Sequence, residues 1–222
     1  MHYVFQFGVV LDNLPLLLHG ALLTIRLSAL AMLCGLCLGI FGAAVSTFGP
    51  RWARFIIRVY VEIIRNTPFL VQLFIIYFSL PAIGLRLRAD QAALLGMTVN
   101  LGAYATEIVR GGIEAIPFGQ IEAARALGLR RGHIFRFIIL KPALRIVYPA
   151  LVSQFVLLML GSSVVSSISA VDLTAVANTL QSTTFRAFEF YFATTLIYLI
   201  MALGFRLLLD ALGWLLLTRR QA

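Results

Sequence analysis

The sequence contains few charged residues for its length. Of 222 residues, 12% are charged and 61% are hydrophobic, and the mean hydropathy is +0.96. A soluble domain usually carries about a quarter charged residues and about half apolar ones. This deficit excludes an ordinary water-soluble enzyme.

Cysteine and histidine are also scarce. The two cysteines, Cys34 and Cys37, lie within the charge-free stretch Leu27 to Gly49, which predicts packing in a buried helix and disfavours a redox role. The three histidines stand far apart, in no metal-ligand pattern, and no acid–base or nucleophilic constellation appears: His2, His19 and His133. The sequence therefore predicts no catalytic centre and no metal site.

Long apolar runs dominate what is present. A helix rises about 1.5 Å per residue, so a hydrocarbon core about 30 Å thick takes about 20 apolar residues to cross. Because no internal repeat or low-complexity linker appears, residues 1–222 are expected to form one transmembrane domain. We predict an all-α integral membrane protein with about five spans: residues 20–45, 58–82, 89–109, 146–171 and 190–217.

The few charges are unevenly distributed. The 18 basic residues outnumber the 9 acidic ones, which gives a net charge of +9. With the N-terminus outside, the cytoplasmic side receives four basic residues from 51–65, seven from 110–145, and Arg219 and Arg220; three lie outside. This positive-inside bias predicts an external N-terminus and a cytoplasmic C-terminus. It explains the basic excess without a nucleic-acid partner.

Small residues recur at four-residue spacing in the first span. Ala31, Gly35, Gly39 and Ala43 share one helix face. Small side chains let a second helix approach closely. The pattern predicts helix packing and no chemistry.

Only the loop over 116–141 is long enough to hold structure of its own. Pro117 suits the first turn of a helix, and Gly128 suits its end. Arg131 to Leu140 forms a second helical pattern. We expect a two-helix elbow on the cytoplasmic surface; the alternative is an amphipathic loop that lies on lipid headgroups.

The same loop carries a recognisable motif. Glu122-Ala123-Ala124, followed by Gly128 and then Ile138-Ile139-Leu140, resembles the EAA loop of binding-protein-dependent ABC importer permeases. Glu62 to Pro68 is similar to the E-x-x-R-G-T-P stretch of the polar amino acid branch, which serves histidine, glutamine, glutamate and arginine. Asn100 to Glu107 is similar to that branch's third span. The resemblance extends from about Gly20 to Arg220.

Three departures from the family pattern stand out. Asn66 replaces a usual glycine, and the loop ends in Leu140-Lys141-Pro142, which displaces the proline by one position. In the fourth span, Leu160 to Ser163 occupies a segment where many relatives have a Lys and an Asp or Asn. The fourth span is therefore uncharged, which leaves the identity of the substrate open.

The resemblance implies a type I importer permease in a bacterial inner membrane that is coupled to ATP hydrolysis elsewhere. The implied partners are a cytoplasmic ABC ATPase dimer, a second permease chain (a copy or a paralogue), an extracytoplasmic amino acid-binding protein and membrane lipid. Because the sequence has no G-x-x-x-x-G-K-[ST] motif, no cofactor is expected in this chain, and ATP and Mg belong to the ATPase. Five residues are expected to form the core of the ATPase contact: Glu122, Ala123, Ala124, Leu127 and Gly128.

Polar residues inside spans are candidates for the substrate path, since they are costly in lipid and usually face an interior. Glu62 and Arg65 share a helix face and could pair, whereas Ser162 and Ser163 are weaker because serines there often bond a preceding carbonyl. Each set could instead brace the bundle. Another set shares a face of the third span: Asn100, Tyr104 and Glu107.

Three other functions compete with the importer. An ion-coupled secondary transporter would be expected to have repeated halves and interrupted helices, and a membrane enzyme would need acid, base or metal groups. A non-transporting scaffold would explain the spans but not the elbow.

Asp172, which precedes a short outer segment, is predicted to be a helix cap.

Overall fold

The computed structural model describes residues 4–215, and this part of the chain contains only helices and their connections. The helices are α1 (Gly8–Asp12), α2 (Leu14–Phe48), α3 (Arg51–Arg65), α4 (Phe69–Phe74), α5 (Ala89–Glu114), α6 (Phe118–Ala126), α7 (Arg131–His133), α8 (Lys141–Gly161), α9 (Leu173–Thr184) and α10 (Ala187–Gly213).

Four helical stretches are long and apolar enough to cross a membrane: Leu14–Phe48, Ala89–Glu114, Arg136–Ile168 and Ala187–Gly213. A fifth span is formed if the bent pair Arg51–Arg65 and Phe69–Ile83 counts as one. The expected all-α membrane fold with about five spans is confirmed. The expected end of the last span at residue 217 lies outside the described residues, as do His2, Arg219 and Arg220.

The second span, expected over 58–82, is broken. Its two halves, α3 and the segment Phe69–Ile83, meet at 110°. The break falls at Asn66, Thr67 and Pro68. Proline has no N–H to donate, and it disfavours helical backbone in the residue before it. The helix therefore ends at Arg65 and restarts after Pro68.

The cytoplasmic elbow also differs from the expectation in its second half. Helix α6 ends at Ala126, and Gly128 follows in the left-handed conformation with φ of 73°, as expected for a helix stop. The second helix, however, is continuous with the fourth span, because α7 passes through a π-helical stretch (Ile134–Leu140) into α8. Pro142 lacks the N–H that a helix interior needs, and the wider π turns before it accommodate that loss.

The core forms where α2 packs against α5. Gly39 and Gly42 are buried on the α2 face that touches Ala105 and Thr106. A Cβ placed on Gly39 would lie 2.3 Å from the Cβ of Ala105. The predicted close approach of a helix to the small-residue face of the first span is confirmed: Ala31, Gly35, Gly39 and Ala43 are all buried.

The cysteines lie elsewhere on the same helix. Cys34 and Cys37 are exposed on α2, so the prediction that they pack in the interior is wrong. They flank Gly35 in sequence, but the helical rotation turns them away from the face that meets α5. Their surroundings are apolar surface of a membrane span.

Helix α9 covers one end of the bundle and begins at a buried cap. Asp172 Oδ1 accepts a 2.7 Å hydrogen bond from the N–H of Ala175, which confirms the predicted cap. Tyr198 donates to the other carboxylate oxygen at 3.1 Å. Burial raises the pKa of Asp172 above its usual value, although these hydrogen bonds act in the opposite direction. The cap ties α9 to α10.

Candidate functional site

One buried side chain, that of Gln72, stabilises the break in the second span. The Gln72 amide donates to the carbonyls of Ile64 at 2.7 Å and Thr67 at 3.0 Å, and to the Thr67 hydroxyl. Non-helical backbone at membrane depth is tolerated where its polar groups find partners inside the protein. Gln72 supplies those partners, so the break is a built feature of the span.

Gln72 also connects the break to the third span. Its side-chain oxygen accepts a 3.0 Å hydrogen bond from Asn100, one of the predicted path residues. Tyr104 lies one turn further along α5, and the guanidinium carbon of Arg65 stands 5.5 Å from the centre of its ring. The structure thus brings Arg65 to Tyr104, another predicted path residue, although 39 positions separate them in sequence.

Next to them, uncharged residues line a cavity of about 260 Å³. Its polar groups are the side chains of Thr67, Asn100, Tyr104 and Gln154. Among the described residues, those that line it are all uncharged, and two of them carry amides, so we call it the amide cavity: Thr67, Phe69, Asn100, Tyr104, Gln154, Leu157, Leu158 and Gly161. It can offer hydrogen bonds and apolar contact to a small molecule.

The predicted charged residues lie on the other side of Tyr104. Glu107 faces Arg65 across 4.0 Å and also forms an ion pair with Arg110, which in turn pairs with Glu114. Glu62 does not pair with Arg65 as suggested by their spacing; its carboxylate accepts a 3.0 Å hydrogen bond from Asn66. Arg65 instead reaches across to α5, against which α3 packs.

These charges border a second cavity of about 340 Å³ between α3 and the ends of α2 and α5. Six of its ten lining residues are charged, and we call it the charged cavity: Ser46, Arg54, Ile57, Arg58, Val61, Glu62, Thr106, Glu107, Arg110 and Glu114. Arg65 stands between the two cavities, since it touches Tyr104 of one and Glu107 of the other.

The serines of the fourth span have a local structural role. Ser162 donates to the carbonyl of Met159 at 2.7 Å and Ser163 to that of Leu160 at 2.9 Å. They begin a 3-10 stretch, Ser162–Ile168, and neither lines the amide cavity, although Gly161 beside them does. The structure therefore separates these two from the other path candidates.

Helix α6 presents most of the predicted ATPase-contact residues at the surface. Glu122, Ala123, Leu127 and Gly128 are exposed, and the Leu127 side chain is 81% exposed. Ala124 is buried and faces the body of the protein. Beside α6 lies a cleft of about 480 Å³ whose lining includes Phe48, Ile113, Phe118 and Ile121. An exposed apolar side chain beside a cleft suits contact with another protein.

Several residues that line the two cavities were not among the predicted site residues. Gln154 is an amide within an uncharged span, and that polarity was a usable signal. Arg110 follows Glu107 by three positions and Glu114 follows Arg110 by four, which are the spacings of helical ion pairs. In the sequence, Arg54 and Arg58 indicate only the cytoplasmic side. Within residues 4–215, no group of three or more His, Cys, Asp or Glu is placed to hold a metal ion.

The helical spans and the polar side chains between them define a multi-span transport protein, a permease. Residues 35–217 match the family described as "Binding-protein-dependent transport system inner membrane component", and the chain belongs to that family. The glutamine transport system permease protein GlnP of Escherichia coli (strain K12) is 36% identical over 201 residues, which cover 90% of this chain and 92% of that protein.

Solved structures agree. A crystal structure described as an amino acid ABC transporter with histidines matches with a TM-score of 0.89 at 35% identity, and the match covers 96% of this chain and all of that one. The inward-facing MetNI methionine ABC transporter matches with a TM-score of 0.76 at 20% identity, covering 90% and 96% of the two chains, and supports the fold. This chain is a permease subunit of an ABC transporter. The comparisons support this function over an ion-coupled secondary transporter or a scaffold.

Proposed function

We propose that this chain forms the translocation path of an ATP-driven amino acid importer in the bacterial inner membrane. The observation that carries the proposal is the 35% identity, over 96% of this chain, to a permease solved as part of an amino acid ABC transporter. The positive-inside distribution supports an external N-terminus and a cytoplasmic C-terminus.

The complex that this function requires contains other chains. We propose a second permease chain, a cytoplasmic ABC ATPase dimer that holds ATP and Mg, and an extracytoplasmic amino acid-binding protein. The exposed surface of α6, with Glu122, Ala123, Leu127 and Gly128, would contact the ATPase, and buried Ala124 would fix α6 against the spans. Closure of the ATPase pair would then move the spans as rigid bodies and alternate the access of the path.

Within the permease, we propose that the substrate binds first in the amide cavity. The polar groups of Thr67, Asn100, Tyr104 and Gln154 can hydrogen-bond an amino acid, and the apolar wall can hold the stem of its side chain. The charged α-groups of the amino acid need partners of opposite charge, which Arg65 and Glu107 beside Tyr104 can supply. The side chain would then lie against the uncharged lining, which favours an uncharged polar side chain. We expect glutamine and asparagine to be preferred to glutamate and arginine.

Reconstitution tests the proposal. The permease, its ATPase and its binding protein would be placed in lipid vesicles, and uptake of a panel of labelled amino acids measured with and without ATP. We expect uptake to depend on ATP and to be fastest for an uncharged polar amino acid. Uptake that runs on an ion gradient alone, with no ATPase subunit bound to the purified permease, would contradict the proposal.

A further inference from the structure

Another cavity, of about 310 Å³, lies between α2, α5 and the fourth span. Its lining side chains are all apolar except that of Tyr148, whose hydroxyl donates to the carbonyl of Leu209. Ile40, Phe48 and Leu144 are exposed, so the cavity is open to the surroundings of the bundle. We call it the apolar groove: Leu36, Ile40, Ala44 and Phe48 of α2, Val109 and Ile113 of α5, and residues of 139–155 opposite.

The groove has about the length of one membrane leaflet. The α2 residues that line it recur every four positions from Leu36 to Phe48, which is about 18 Å at the rise of an α-helix. One leaflet contributes about 15 Å of hydrocarbon. Phe48 is the last residue of α2, and Ile113 is next to the last of α5. In the proposed orientation the groove therefore runs from the cytoplasmic edge of the membrane to near its middle.

Two basic side chains stand at the cytoplasmic end of the groove. Leu140 lines the groove, and Lys141 follows it at the start of α8. Arg136 precedes Leu140 by four positions within the π-helical stretch Ile134–Leu140. Because a π turn takes more residues than an α turn, these three residues come close to one face. Arg136 and Lys141 are both exposed.

The protein does not neutralise these two cations. Among the described side chains, no carboxylate lies within 4.0 Å of Arg136 or Lys141. The guanidinium carbon of Arg136 stands 5.8 Å from the centre of the Phe137 ring, a contact that leaves its N–H donors available. Glu114 follows Ile113 in sequence, but it pairs with Arg110 and lines the charged cavity. The groove thus joins an apolar slot to a positive end.

We propose that the apolar groove binds an anionic phospholipid of the cytoplasmic leaflet, with one acyl chain along α2 and α8 and the phosphate between Arg136 and Lys141. The site goes beyond the proposed function, because it does not depend on the molecule imported; only the choice of leaflet uses the proposed orientation. Arginine can bind a phosphate through two parallel hydrogen bonds, and lysine adds a point charge. Basic sites between helices on the cytoplasmic side suit anionic headgroups.

The two cations favour a lipid over a helix of another chain as the occupant. An apolar helix packed in the groove would leave Arg136 and Lys141 without a negative partner, and an unpaired charge is costly away from water. A phospholipid supplies an apolar chain and a phosphate at the matching depths. Its net charge also matters, because the ammonium of phosphatidylethanolamine is repelled by the two cations, whereas phosphatidylglycerol carries no positive group.

The position of the groove links it to the elbow. Phe48, Ile113 and Ile139 line the groove and also the cleft beside α6. A lipid in the groove would therefore touch α2, α5 and the start of the fourth span where they meet the proposed ATPase-contact helix. It would hold these elements together from the membrane side.

The test is lipid binding to the importer purified with its subunits in detergent, measured by native mass spectrometry. Phosphatidylglycerol and phosphatidylethanolamine with the same acyl chains are titrated, and a Kd is obtained for each. We expect phosphatidylglycerol to bind about tenfold more tightly to the unmodified importer. Arg136→Gln/Lys141→Gln should weaken its binding roughly 25-fold, because each cation near a membrane surface contributes about a factor of five.

Two matched pairs of variants separate the groove from general surface effects. Arg54→Gln/Arg58→Gln removes the same charge from the charged cavity, which shares no residue with the groove, and should keep the unmodified Kd. Ala44→Phe fills the groove but keeps both cations, so it should weaken the binding of both lipids. Leu33→Phe, on the same helix but outside the groove, should not.

Three results would overturn the inference. The two lipids could bind equally to the unmodified importer; Arg136→Gln/Lys141→Gln or Ala44→Phe could keep the unmodified Kd for phosphatidylglycerol; or Arg54→Gln/Arg58→Gln could weaken binding as much as the groove variants. The first result includes an importer that retains neither lipid because another chain covers the groove. Lipid binding is measured without transport, so a lack of ATP-driven uptake would contradict the proposed function alone.

Discussion

The contact between α2 and α5 leaves no room for a methyl group at Gly39. The Cβ of an alanine there would lie 2.3 Å from the Cβ of Ala105 and 3.0 Å from the backbone carbon of Ala105 and nitrogen of Thr106. Carbon atoms in ordinary contact are about 3.5–4.0 Å apart. Because two of the three neighbours are backbone atoms, no side-chain rotation can relieve the overlap. Gly39→Ala must therefore push the two helices apart.

The expected cost can be estimated from two opposing effects. Overpacking in a dense core costs about 1–3 kcal/mol, and a clash with backbone belongs at the upper end of that range. Alanine favours a helix over glycine by about 1 kcal/mol. The net loss is about 2 kcal/mol, which lowers the ratio of folded to unfolded protein about 30-fold. For a chain of this size, the melting temperature should fall by about 4–8 °C.

The measurement is the midpoint of thermal unfolding of the purified permease in detergent, followed as the folded fraction on gel filtration. Gly204→Ala is the control, because a Cβ at Gly204 on α10 meets nothing within 4 Å. It should melt at or slightly above the unmodified temperature. Adding Ala105→Gly to Gly39→Ala removes the Cβ–Cβ overlap and should restore part of the loss. Equal midpoints for Gly39→Ala and Gly204→Ala would refute the packing argument.

Three further predictions follow from single residues. Gly128→Val places a β-branched residue at a φ of 73°, which strains the proposed ATPase contact and should uncouple ATP hydrolysis from uptake in vesicles. Gly119→Ala is the control, because Gly119 lies in α6 with open space around it, and it should leave coupling unchanged. Normal uptake by Gly128→Val would contradict the ATPase contact. Gln72→Leu leaves the carbonyls of the break unpaired and should lower the free energy of unfolding by about 2–3 kcal/mol. Gln72→Glu places acceptor oxygens against the same carbonyls and should lose at least as much; an unchanged midpoint for Gln72→Leu would contradict this. Burial raises the pKa of Asp172, so the contribution of its protonated form to stability is present below its unfolded pKa and lost as pH rises through the folded pKa. Asp172→Asn should therefore be no less stable near pH 7 and should flatten that pH dependence, whereas Asp172→Ala should lose about 1 kcal/mol with the cap. A pH dependence that survives Asp172→Asn would count against this assignment.

Features that depend on nearby residues could be predicted from the sequence. Hydropathy located the spans, because each must be apolar along its whole length. The cap at Asp172 and the helix stop at Gly128 followed from local backbone chemistry. The break at Pro68 had a local signal as well, but the apolar composition over 58–82 indicated only that a span is present. The number of charged residues in a segment does not indicate whether a proline breaks its helix.

Features that depend on distant residues could not be predicted in the same way. Arg65 pairs with Glu107 and not with its helical neighbour Glu62, because α3 packs against α5 and places Arg65 beside Glu107. Arg54 and Arg110 line one cavity although 56 positions separate them. A single sequence carries the charges but not the angle at which two helices meet.

The length of α2 has a consequence for movement. Its 35 residues form a rod about 52 Å long, whereas the hydrocarbon core is about 30 Å thick. Even a tilt of about 40°, the upper end of the usual range, leaves part of this rod in the headgroup layers. A swing of about 10° about its midpoint would displace each end by about 4.5 Å, in opposite directions. The first span can thus act as a lever that links α9 on one membrane surface to α3 on the other.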